Sequence, residues 1–101
     1  MRIHFAALVS IVLGLGAGSV AAQDARYLAG NCANCHGTDG RSVGGGGMPG
    51  LAGLSRTYFI EQMNAFRGGT RQATVMHQIA KGYTEAQISA LADFYAQQPK
   101  Q

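Results

Sequence analysis

Apolar residues in this chain recur at helical spacing, and no stretch alternates convincingly as a strand would. Ala25, Leu28 and Ala29 stand at i, i+3 and i+4 behind Asp24, which can cap or charge a helix start, and this predicts a helix over 24–31. Phe59, Met63 and Phe66 make a second stripe. Ser55 is its candidate N-cap and Gly68-Gly69 its stop, so a helix is predicted over 56–66. Thr70 can cap a third, short helix over 71–80, which Lys81-Gly82-Tyr83 breaks. Thr84 and Gln87 have the spacing of a capping box. Ile88, Leu91, Ala92 and Tyr95 then share one face of a last helix reaching about residue 98, with Phe94 adding to it and Pro99 behind. Between the first two helices, 37–53 reads as a loop, because no helix or strand would choose the run Gly44 to Gly47.

The first 22 residues carry a different pattern. Arg2 supplies a basic start, Ile3 to Leu15 is nearly all apolar, and Val20-Ala21-Ala22 offers small residues before a cut at Gln23. This is the form of a cleaved secretory signal peptide, too short and wrongly flanked for a stable membrane span. Residues 23–101 would then be one domain, near the lower size limit for an adequate apolar core. With Arg2 removed, the formal charge falls from +3 to +2. That is too mild to argue for nucleic acid, though it allows a modest basic docking face. The five carboxylates are scattered and none pairs with a histidine, so no acid–base or nucleophilic centre is indicated. The glycine run is not followed by Gly-Lys-Ser/Thr, which removes a phosphate-cradling reading.

Chemistry concentrates in Cys32-Ala33-Asn34-Cys35-His36, the attachment signature of a c-type haem. Thiols at i and i+3 on adjacent turns of a short helix can each form a thioether with one porphyrin vinyl group. The histidine that follows is then placed to ligate the iron. A redox dithiol would need a βαβ setting, which is lacking. A zinc site would need a second cysteine pair. Cysteines at this helical spacing are poorly placed for a disulfide. One haem c would also supply the apolar interior that so small a domain lacks. For a second axial ligand the candidates after the leader are Met48, Met63, Met76 and His77. Met63 lies in the apolar stripe of the second helix, where methionine is more often core. His77 adjoins Met76 and on a helix points about 100° away from it.

Cys32 to Gly40 (CANCHGTDG), Gly53 to Phe66 (GLSRTYFIEQMNAF) and Thr74 to Tyr95 (TVMHQIAKGYTEAQISALADFY) resemble class I c-type cytochromes, and in particular the cytochrome subunit of flavocytochrome c sulfide dehydrogenase. The resemblance implies a small all-α fold, about four helices wrapped round one covalently attached haem. It implies thioethers from Cys32 and Cys35, His36 as proximal and Met76 as distal iron ligand. It also implies a haem environment of Pro49, Leu51 and Leu54, in which the Pro49 carbonyl accepts the His36 N–H. Two departures stand out: Gly44 to Gly47 replaces a segment that often contains proline, and there is one haem motif where some relatives carry two.

By the same resemblance the expected role is periplasmic one-electron transfer, with electrons accepted from a flavoprotein that oxidises sulfide. The catalytic flavin would lie on another chain, and this chain would not be an enzyme itself. A free soluble shuttle between respiratory complexes is the alternative, and other redox proteins are the expected partners. No nucleic acid and, after cleavage, no membrane span are expected. A haem enzyme or gas sensor with an open sixth position is disfavoured by Met76. Ala33 and Asn34 between the thioethers carry no charge, and the only lysines are Lys81 and Lys100. A neutral rim of this kind suits a lasting subunit contact more than a salt-steered encounter.

Overall fold

The computed structural model describes residues 18–42 and 47–100. The expected leader, 1–22, lies outside the described residues except for 18–22, and so do Gly44 to Gly46. Among the described residues all regular structure is helical: α1 (Gly18–His36), a single 3₁₀ turn (Thr38–Gly40), α2 (Arg56–Gly68), α3 (Met76–Lys81) and α4 (Glu85–Ala96). This is the four-helix, all-α class expected. None of the described helices is long and apolar enough to cross a membrane.

Two of the helix starts are built as the sequence indicates. The Ser55 hydroxyl accepts the Tyr58 N–H at 3.2 Å and opens α2. Thr84 and Gln87 form a complete capping box at α4, with reciprocal bonds of 2.9 and 3.1 Å. Such caps are typically worth about 1 kcal/mol each.

Several boundaries differ from expectation. Helix α1 does not stop at 31 but runs through the cysteine motif to His36, starting at Gly18. Residues 21–29, rich in alanine, favour helix, and nothing breaks it before Gly37, which takes the left-handed φ of 83°. Helix α4 ends at Ala96, two residues short of the expected limit. The third helix begins at Met76 instead of 71. Thr70 is not its cap: both its N–H and its hydroxyl go back to the Ala65 carbonyl, at 3.0 and 3.4 Å, and the Arg71 N–H joins them at 3.1 Å. Thr70 thus finishes α2, after the left-handed turn at Gly69 (φ 78°). The β-branched pair Thr74-Val75 then delays the next helix.

Helix α4 is the centre of the molecule, packing against both α1 and α2, while α3 packs on α2. Ile88, Leu91, Ala92 and Tyr95 are its fully buried side chains. Ala29 from α1, Phe59 and Met63 from α2, Ala80 from α3 and Tyr83 complete the buried cluster. Phe59 stacks on Tyr95 with ring centroids 5.6 Å apart, and Phe94 meets Tyr95 edge-on at 5.1 Å. Small residues on α1 let the helices approach closely enough for the Tyr95 hydroxyl to donate to the Ala29 carbonyl at 3.4 Å. On the surface, Arg56 ties the start of α2 to α4 through Asp93 (2.8 Å) and Ser89. That exposed link contributes at most about 1 kcal/mol.

Candidate haem site

Because α1 runs on to His36, both thiols and the histidine stand on one continuous helix. Both thiols are free; Cys35 is exposed, while Cys32 is half-buried and packs against the core. Burial pushes the Cys32 thiol up from its usual range, with hydrogen bonding to Tyr95 and Tyr83 acting the other way. Burial likewise pushes the Tyr95 phenol well above its ordinary range, so that it stays neutral beside Cys32.

His36 is 92% buried, with a relative exposure of 8%, and its Nδ1 lies 2.8 Å from the Pro49 carbonyl oxygen, thirteen residues along the chain. A carbonyl only accepts, so Nδ1 carries the proton and donates. Nε2 is then the nitrogen with the free lone pair. The bond sets the tautomer, restricts the ring and strengthens Nε2 as a donor to a metal.

Backbone contacts hold Pro49 in reach. Gly40, at the end of the 3₁₀ turn, offers its carbonyl to the N–H groups of Leu51 (2.8 Å) and Ala52 (3.1 Å). The Gly53 N–H donates to the Tyr95 carbonyl at 2.8 Å, and the Ser42 hydroxyl donates to the Met48 carbonyl at 2.8 Å. Gly40 has φ 76°, and a Cβ there would lie 2.8 Å from the Ala52 nitrogen and 2.9 Å from the Tyr95 ring. Only glycine fits. Leu51 and Leu54 are half-buried and pack on the core, and Leu54 also lines an open groove with Gly50, Ala52 and Tyr58.

The remaining ligand candidates separate by environment. Met63 is buried within the core cluster, as its stripe indicated. Met48 is 47% exposed. Met76 is half-buried at the start of α3 and packs against the core. His77 turns elsewhere, into a groove with Arg67, Arg71 and Lys81, and its Nδ1 is buried without a hydrogen-bond partner among the described residues. No group of three His, Cys, Asp or Glu able to hold a metal ion occurs among the described residues.

The sequence model of the cytochrome c family matches residues 21–98. The chain belongs to the cytochrome c family. Its fold is that of a class I c-type cytochrome, and covalently bound haem c is the cofactor this family carries. The residues fit that group: two thiols one helical turn apart, a buried imidazole with its Nδ1 proton already committed, and a half-buried thioether on a separate helix. Cytochrome c-554(548) of Halomonas halodenitrificans is 35% identical over 85 residues, covering 81% of this chain and 99% of the relative. The cytochrome subunit of sulfide dehydrogenase from Chlorobaculum tepidum is 40% identical over 65 residues, 64% of this chain and 57% of that one. A thiosulfate dehydrogenase electron acceptor from Thiomonas intermedia is 40% identical over 68 residues, 67% of this chain and 31% of the relative. This cytochrome thus spans less than two thirds of the length of either sulfur-related relative. The family and the likeness to an electron acceptor and to a dehydrogenase's cytochrome subunit support electron transfer.

Gly40, Gly53 and Tyr95 are site-shaping residues that sequence reasoning did not single out for this purpose. Gly40 stands in the stretch CANCHGTDG, but nothing in the letters says that two later N–H groups converge on its carbonyl.

Proposed function

We propose that this cytochrome is a periplasmic one-electron carrier, held to its haem by Cys32 and Cys35, with His36 and Met76 as axial ligands. We propose further that it accepts electrons from a flavoprotein sulfide dehydrogenase. The bound haem supplies a one-electron couple, which histidine–methionine ligation poises at the higher end of the haem range. The chain's part is to hold and orient. Cys32 and Cys35 would fix the group at two points of one helix, and His36 Nδ1 donates its N–H to the Pro49 carbonyl, which leaves Nε2 free to ligate the metal. Leu51 and Leu54 contribute apolar surface that keeps water away. The observation that carries the ligand assignment is the 2.8 Å contact between His36 and Pro49, since it leaves Nε2 alone available as a ligand.

Export follows the reading of residues 1–22 as a signal peptide, with the domain from Gln23 to Gln101. The donor is inferred from similarity to the sulfide dehydrogenase cytochrome subunit. A free shuttle is the second reading, favoured by the relative that the chain matches over 99% of its length. The test is gel filtration of native periplasmic extract at low and high salt. Co-elution of haem with a larger flavin-containing chain, reduced on adding sulfide, is the expected result. A flavin-free haem peak of monomer size selects the shuttle. N-terminal sequencing of the same haem protein should begin at Gln23, and a start at Met1 would remove the leader. The oxidised protein should show the weak far-red band of iron–methionine ligation, lost in Met76→Ala.

A further inference from the structure

The end of α2 and the outer side of α3 meet in an open groove lined by Phe66, Arg67, Arg71, His77 and Lys81. Four of its nine lining residues, Arg67, Arg71, His77 and Lys81, carry basic nitrogens, and no carboxylate lies in the lining. Neither Arg67, Arg71 nor Lys81 forms an ion pair among the described residues; the two pairs present are Arg26–Asp39 and Arg56–Asp93. Arg71 is held rather than free. Its guanidinium lies over the Phe66 ring at 4.6 Å, and one nitrogen donates to the Gln62 side chain. A flat fork fixed on an aromatic face keeps further N–H donors without a partner and loses little entropy on taking up a carboxylate. His77 adds a polar atom, Nδ1, that is buried without a hydrogen-bond partner among the described residues. Arg67 and Lys81 each stand in the last turn of a helix, α2 and α3, where a cation also complements the helix end. Arg71 and His77 have no such duty.

We propose that this groove is a docking surface for a carboxylate-bearing face of the electron-transfer partner. The proposal rests on the carrier reading above. The occupant follows from charge complementarity: several cations in an open groove match a spread of carboxylates on a protein surface, and the Arg71 fork suits bidentate contact with one of them. The groove takes in His77, the residue after the proposed distal ligand Met76, while Met76 itself packs against the core and is not part of its lining. The neutral rim at Ala33 and Asn34 is a different surface. Counting lysines alone passes over this one, because two of its cations are arginines.

The probe is a hexaglutamate peptide titrated into the haem-loaded protein, with backbone amide shifts recorded in the reduced state. Shifts should centre on 66–73 and 77–82. The double variant Arg67→Glu/Lys81→Glu should weaken binding roughly tenfold, and so should raising salt from about 20 to about 300 mM. Arg41→Glu, a charge reversal away from the groove, should leave binding within about twofold. The milder Arg67→Gln/Lys81→Gln should fall between, and the haem spectrum of each variant reports that it is folded. Wild-type binding by both double variants, or shifts centred elsewhere, would overturn the proposal. Voltammetry on the same samples keeps the two readings apart. A reversible couple without groove binding sinks only the docking surface, and groove binding without a reversible couple sinks only the carrier reading.

Discussion

The two sides of the haem site are held by different means. On the side of His36 the chain is fixed by hydrogen bonds between backbone groups and by close packing. Gly40 receives two N–H groups, Gly53 donates to Tyr95, and Pro49 receives His36. On the side of Met76 a six-residue helix starts at Val75 without any side-chain cap, and Val75 and Ile79 are 50% and 41% exposed. Met76 packs against the core, and the start of its helix is held by the Val75 carbonyl, which accepts the N–H groups of Gln78 and Ile79. Labour is divided: the proposed proximal ligand is oriented by a hydrogen-bonded network, the proposed distal one by a short helix. Mutations should therefore act unequally on the two sides.

The largest effect is expected at the attachment point. Cys35→Ala should abolish or greatly reduce covalent haem attachment and destabilise the fold, because a domain of this size cannot make a sufficient core alone. Acid–acetone extraction checks this: haem stays with the wild-type protein and leaves the variant. Next comes a matched pair of glycines. Gly40→Ala should cost about 3 kcal/mol or more, since left-handed strain adds to collision with backbone atoms. Gly69→Ala faces the same left-handed strain (φ 78°) but open space, and should cost only about 1 kcal/mol. Chemical denaturation of the two haem-loaded variants side by side measures the difference, and equal losses would refute the division.

Met76→Ala should leave the fold nearly intact yet open the metal to cyanide and lower the potential, as loss of a thioether ligand requires. Cyanide titration and voltammetry read this out. If the variant still excludes cyanide and keeps the iron–methionine band, Met48 or Met63 must supply the ligand. The smallest effect belongs to Thr84→Ala, which removes the capping box of α4 and should cost about 1 kcal/mol, visible as a lower melting temperature with an unchanged haem spectrum.

Sequence and structure agree best where the physics is local. The Ser55 cap, the Thr84–Gln87 box and the stripe of α4 each depend on residues within one or two turns, and all are formed. The motif is legible for the same reason, and Pro49 was reached by resemblance. Thr70 misled because a threonine before a polar run can start one helix or end another. The choice is made by the Ala65 carbonyl, which lies behind it in the previous helix. The role of Gly40 and the groove around Arg71 were illegible, since each exists only once segments distant in sequence have met.

The turn after His36 has a consequence for how such chains can vary. A Cβ on Gly37 would stand 2.1 Å from the Arg41 carbonyl oxygen, in a backbone with φ 83°. The attachment motif spans five positions, fixes only Cys32, Cys35 and His36 among them, and has no use for a sixth. The sixth is written by the chain's need to reverse direction at once, so that Pro49 can return to the imidazole. A lineage that lost this glycine would keep an intact attachment motif on paper. It would still have to invent another way home for the loop, and a ligand histidine with a different partner would record that history.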